Sequence, residues 1–194
     1  MEHTAFLFPG QGSQAVGMGR DLAEQTEIGR DAFARADEIL GYPLSRICFS
    51  GPEEELKLTH NTQPALLVVS HILFQLLGRT PAVAAGHSLG EYSAFVAAGT
   101  IDFADAVLAV HRRGRYMQEA VPVGQGAMAA VLGVGVETVR EALAEVPGPV
   151  DLANWNSAGQ IVISGEKGAV EEAVRRLAPP AASSSRYRPP STPG

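Results

Sequence analysis

One cysteine, Cys48, is all this sequence holds, which excludes an internal disulfide and a thiolate metal cluster and makes the cytoplasm the expected compartment. Basic charge is also short. Fifteen Lys and Arg stand against 21 Asp and Glu, a formal net charge of −6, so the electrostatic footprint of a nucleic-acid binder is missing. No stretch approaches the roughly 18 apolar residues that a membrane span needs, and Met1-Glu2-His3-Thr4 puts no basic segment ahead of its apolar run. Neither a nucleic acid nor a membrane is expected as a partner. Nothing repeats at a period of roughly 20 to 50 residues, which speaks against a solenoid or propeller.

What is present suits an α/β domain with a small appended subdomain: 194 residues, 45% of them hydrophobic. Ala5-Phe6-Leu7-Phe8 reads as a buried first strand, ended by the turn formers of Pro9-Gly10-Gln11-Gly12-Ser13-Gln14. A helical pattern runs from Asp21 to Leu40 with irregular chain after it, and Gly51-Pro52 followed by three glutamates opens another helical stretch. Thr62-Gln63-Pro64 precedes an apolar run from Ala65 to Leu77, too long for a strand and therefore a buried helix. Pro81 to Ala85 reads as a short buried strand, Leu89 to Ala98 as a helix, and Ile101 to Gln118 as a helix with Arg112, Arg113 and Arg115 near its end.

Beyond Pro122-Val123-Gly124 the pattern becomes strand 127–134, helix 136–146, strands 150–154 and 160–164, and helix 169–177. This order predicts a ferredoxin-like unit lacking its last strand. The expected domains are 1–123 and 124–177. The tail 178–194, rich in Pro, Ser, Ala and Arg, is expected to be disordered.

Between the Pro81 strand and the helix after it stands Gly86-His87-Ser88-Leu89-Gly90. This is the G-x-S-x-G spacing that exposes a nucleophilic serine on a tight strand-to-helix turn. Three fixed positions recur by accident in roughly 6% of chains this long, so the flanking strand and helix must carry the argument. Leu89 would offer a backbone N–H at a helix N-terminus, where positive partial charge stabilises an oxyanion.

Three other readings compete. Gly10-Gln11-Gly12-Ser13-Gln14-Ala15 matches a dinucleotide fingerprint, yet no second strand ending in an acidic residue follows about 20 residues on. A scaffold in which Ser88 is inert would resist serine-directed reagents. A generic serine hydrolase needs an acid and a histidine downstream of the elbow, where only His111 lies, in mid-helix. His3, His60, His71 and His87 precede it and form no metal-ligand spacing, and Asp102 and Asp105 have capping and dipole roles by default. On these residues alone Arg112 and Arg113 cannot be told apart.

Taken together, FPGQGSQAVGMG, TQPALL, GHSLGEYSA, RRGRYMQEA with GQGAMAAVLG, and NWNSAGQIVISG resemble the malonyl-CoA:acyl carrier protein transacylases of fatty acid synthesis, over residues 4 to about 177. Acyltransferase domains of polyketide synthases are similar too and remain the alternative. The resemblance implies an α/β-hydrolase-like core with an inserted ferredoxin-like subdomain, both incomplete here. It implies malonyl transfer from coenzyme A through an ester on Ser88 to the pantetheine thiol of acyl carrier protein. Backbone N–H groups of Gln11 and Leu89 would face the oxyanion, and Arg113 would grip the malonyl carboxylate. No metal or redox cofactor is implied; coenzyme A and phosphopantetheine enter only as carriers. Asn154, Asn156 and Gln160 stand in the family's subdomain motif, with Ala158 in place of its usual proline.

The family's general-base histidine follows the subdomain in a Phe-His segment, and this sequence contains none. The chain is therefore expected to be C-terminally truncated, with a much impaired activity. Ser184-Ser185-Arg186-Tyr187-Arg188 can be encoded so that a one-base shift reads Val-Val-Pro-Leu-Pro, which resembles the family's continuation and suggests a frameshifted tail.

Overall fold

The computed structural model describes residues 4–120 and 124–178. His3, Pro122, Val123 and the tail from residue 179 onward lie outside the described residues. Two compact units divide the chain, Met1–Ala120 and Val121–Gly194.

In the first unit, β1 (Ala5–Phe8) and β2 (Val83–Gly86) pair in parallel, Ala5 opposite Val83 and Phe8 opposite Gly86. Between them come α1 (Arg20–Gln25), α2 (Glu27–Leu40), α3 (Leu44–Ser50), α4 (Glu53–Lys57) and α5 (Thr59–Leu77); α6 (Gly90–Ala97) and α7 (Phe103–Ala120) follow. No strand lies between β1 and β2 among the described residues, which removes the second strand a dinucleotide site requires. The core gathers Phe33 and Ala36 of α2, Leu67, Val68 and Ile72 of α5, and Ala106, Val107 and Val110 of α7. Both strands were expected to be buried; instead alternate residues face outward, Leu7 78% and Val83 61% exposed. The pair is covered on one face, where the Phe6 ring meets Phe74 of α5 edge-on.

Three further expectations need correction. The helix expected over 21–40 is two helices, because the Thr26 side chain donates to Leu22 O at 2.7 Å and accepts from Gly29 N at 2.9 Å, a local alternative to the helical ladder that caps α2. The segment expected to be irregular before Cys48 holds α3, whose second residue, Ser45, gives its N–H to the Asp37 carboxylate at 2.8 Å. And α5 begins at Thr59, so Pro64 lies inside it.

Cys48 is fully buried on α3. Burial first, and the Asp37 carboxylate second, push its thiol up to about 12. The thiolate is the reactive form, so the native protein is expected to resist alkylation at pH 8 and to react in denaturant. Because the folded thiol keeps its proton where the unfolded one loses it, stability should fall as pH rises above about 8.5, the ordinary cysteine value. Thiol labelling and urea melts across pH 8 to 10 check both points.

In the second unit, β3 (Gly126–Leu132), α8 (Val136–Ala144), β4 (Val150–Ser157), β5 (Gln160–Glu166) and α9 (Lys167–Leu177) follow in order. The strands form an antiparallel sheet ordered β3-β5-β4. Ala129, Val131, Ile161 and Ile163 meet Val139 of α8 and Val170 and Ala173 of α9 on one face. Ala158 and Gly159 form the tight turn between β4 and β5, bridged by Asn156 Nδ2 donating to Gln160 Oε1 at 3.1 Å.

Candidate active site

Ser88 sits where β2 ends and α6 begins, with φ of +54°, the one non-glycine at positive φ among the described residues. A side chain in that region carries about 1–2 kcal/mol of strain. Packing around the turn imposes it. A Cβ on Gly86 would lie 1.9 Å from the Gly90 carbonyl carbon, and one on Gly90 would lie 2.2 Å from Phe8 O. Strand, turn and helix thus approach at a distance only glycines allow. Leu89 anchors the turn in the core at 1% exposure, while Ser88 stays exposed.

The turn orders its own donors. Gly90 N–H donates to His87 O at 2.9 Å, Glu91 N–H to Ser88 O at 3.2 Å and Tyr92 N–H to Leu89 O at 3.0 Å. The Leu89 N–H, directly after the serine, joins none of these bonds. The β1 loop packs against the same turn: His87 N–H donates to Phe8 O at 3.2 Å, and a Cβ on Gly10 would meet both the His87 ring and its carbonyl at 2.8 Å. Gln11 is the next residue of that loop and is exposed.

Arg113, on α7, donates Nη2 to Ser88 Oγ at 3.0 Å and Nη1 to Gln63 Oε1 at 2.8 Å, with its guanidinium 5.9 Å over the Tyr92 ring. Arg112 is exposed and Arg115 pairs with Glu119 at 3.1 Å. Geometry therefore singles out Arg113 from the three. Among the described residues no carboxylate pairs with it, so its charge faces the serine oxygen uncompensated, a socket for an anion. The close crossing of α5 and α7 makes this reach possible, for a Cβ on Gly114 would sit 2.5 Å from His60 Cα.

Gln63, fully buried on α5, was not singled out from the sequence. Its signal was an amide directly before a proline, at the head of the apolar run of α5. His111 proves to be a structural residue. Pro64 has no N–H to give to the carbonyl four residues back, and His111 Nδ1 lies 3.0 Å from that carbonyl, His60 O. Burial holds the His111 ring below the usual histidine value, so it serves as a neutral donor. The His71 ring stacks on Phe103 at 4.3 Å. With His60 Nδ1 lying 2.5 Å from Gln118 Oε1, the rings of His60, His71 and His111 are all engaged away from Ser88. Among the described residues no group of His, Cys, Asp and Glu could hold a metal ion, and no helix is long and apolar enough to cross a membrane.

A strained serine on a strand-to-helix elbow, backed by a fixed guanidinium, is an arrangement suited to acyl transfer through a serine. Residues 5–185 match the model of the acyl transferase domain, and the chain belongs to that family. It is 52% identical over 177 residues to the malonyl CoA-acyl carrier protein transacylase of Bacillus subtilis strain 168, covering 88% of this chain and 56% of that protein. To the Escherichia coli K12 protein of the same name it is 52% identical over 182 residues, covering 89% of this chain and 58% of the relative. Among solved structures, an acyl carrier protein S-malonyltransferase from Vibrio cholerae superposes with a TM-score of 0.88 at 48% identity, covering 98% of this chain and 64% of that one. A malonyl-transacylase solved in complex with a type II polyketide synthase acyl carrier protein gives a TM-score of 0.90 at 45% identity, covering 98% and 63%. The chain thus spans 56 to 58% of the length of the two bacterial relatives.

Proposed function

We propose that this chain carries the acyl-enzyme half of a malonyl-CoA:acyl carrier protein transacylase. Ser88 Oγ attacks the malonyl thioester carbonyl, the Oγ–C bond forms, the C–S bond breaks, and the coenzyme A sulfur leaves and takes up a proton. The backbone N–H groups of Gln11 and Leu89 hold the oxyanion, and Arg113 receives the free malonyl carboxylate as a two-pronged donor. Acyl carrier protein then accepts malonate on its pantetheine thiol, with no redox cofactor or metal, in the cytoplasm. In this reading residues 1–123 are the hydrolase-like core and 124–177 the ferredoxin-like subdomain, for which the strand order β3-β5-β4 is the support.

The observation that carries the reading is the Arg113 guanidinium hydrogen-bonded to the strained Ser88. A guanidinium cannot accept the serine proton, so Arg113 is assigned to the acyl carboxylate and not to proton removal. Intact-protein mass after incubation with malonyl-CoA tests this. The expected result is a malonyl adduct that hydroxylamine removes; a folded protein with no adduct sinks the proposal. Arg113→Lys, which replaces a planar fork by a point charge, is expected to cut the initial rate about tenfold, the value of one charged hydrogen bond.

A further inference from the structure

Resting on that reading, we infer that Gln63 is the positioning residue that orients Arg113, and that its neutrality is what leaves the guanidinium free for a carboxylated acyl group. Gln63 is fully buried, and its amide bridges two successive turns of α7: Oε1 accepts from Arg113 Nη1 at 2.8 Å and Nε2 donates to Met117 Sδ at 3.3 Å. The amide oxygen occupies one edge of the fork while Nη2 points at Ser88 Oγ. Tyr92 of α6 lies under the guanidinium, so α5, α6 and α7 together fix its plane.

The choice of amide over carboxylate matters more than its shape. A buried acceptor is required, because an Nη1 held against the core without one would leave a charged donor unpaired. A glutamate would satisfy the geometry equally well, yet its charge would pair with Arg113 and cancel the attraction for an anionic substrate. An amide accepts the hydrogen bond and leaves the net positive charge intact. Gln63 thereby acts on acyl selectivity through Arg113 without touching the reacting atoms.

Two variants test this on the full chain. Gln63→Glu changes charge at constant shape, and Gln63→Leu removes the acceptor. In Gln63→Glu, the rate of Ser88 malonylation by malonyl-CoA is expected to fall at least tenfold while acetylation by acetyl-CoA is unchanged, so the malonyl-to-acetyl ratio collapses. A residue that merely fills the core would lower both rates together, and an unchanged ratio on folded protein overturns the inference. The second readout needs no turnover. Nitrogen-15 NMR of the Arg113 guanidinium is expected to show rotation about Cζ–Nε speeding up several-fold in Gln63→Leu, and an unchanged rotation rate also overturns it. If the unmodified chain forms no malonyl ester, the proposed function fails, and the rotation rate still decides whether Gln63 positions Arg113.

Discussion

Ser88→Ala is expected to abolish the hydroxylamine-labile malonyl adduct, a loss of at least about 10³-fold in acylation, because Ser88 Oγ is the hydroxyl that Arg113 Nη2 reaches, at 3.0 Å. Ser88→Gly is expected to do the same to activity and something different to stability. Alanine keeps the Cβ and so keeps the strain of φ at +54°, whereas glycine enters that region freely. Relief of about 1–2 kcal/mol, less the extra chain entropy glycine loses on folding, leaves Ser88→Gly more stable than Ser88→Ala by on the order of 1 kcal/mol, or roughly 3 °C in melting temperature. Thermal melts of the two variants measure the difference. Equal melting temperatures would mean that the elbow is not under strain, and an adduct surviving in Ser88→Ala would move the nucleophile elsewhere. The two readouts together separate what the serine oxygen does from what its backbone costs.

The elbow was legible because its requirements are local. Two glycines at fixed spacing, an apolar strand before and an apolar helix after suffice to place Ser88, and β2 and α6 run as expected within about two residues. Arg113 was legible only through resemblance. Periodicity puts Arg112, Arg113 and Arg115 near one helix end, and which of them turns inward depends on Gly114 letting α5 and α7 cross closely, a contact between residues more than 50 positions apart. Gln63 was invisible for the same reason, since its partner lies on another helix. The break at Thr26 escaped because hydrophobic spacing continues across it, while the side-chain bonds that cap α2 leave no mark on that spacing.

The outward faces of β1 and β2 teach a related lesson. Apolar strands such as Ala5–Phe8 and Val83–Gly86 read as buried on both sides, the pattern of a sheet covered on two faces. Among the described residues each has one neighbour, and Leu7 and Val83 are open. Sequence pattern records the surroundings a strand is suited to, and exposure records those present. The mismatch between pattern and exposure falls on the β1-β2 sheet, while the helical core around α5 and α7 is closed.

That sheet makes the elbow sensitive to a single methyl group. Gly86→Ala is expected to unfold the first unit or to cost it more than about 4 kcal/mol, because the added Cβ would lie 1.9 Å from the Gly90 carbonyl carbon, 2.0 Å from its oxygen and 2.3 Å from Glu91 N. All three are backbone atoms at the start of α6, so no rotamer change relieves the clash; β2 and α6 must separate, which strips Leu89 from the core. Gly168→Ala provides the control. Gly168 is the second residue of α9, a Cβ there meets nothing within 4 Å, and alanine should stabilise the second unit by up to about 0.5–1 kcal/mol through helix propensity. Urea unfolding followed by far-UV circular dichroism distinguishes the cases. A Gly86→Ala variant that melts with the unmodified protein would mean that strand and helix can part at the elbow, and the positive φ of Ser88 would then lose its structural cause.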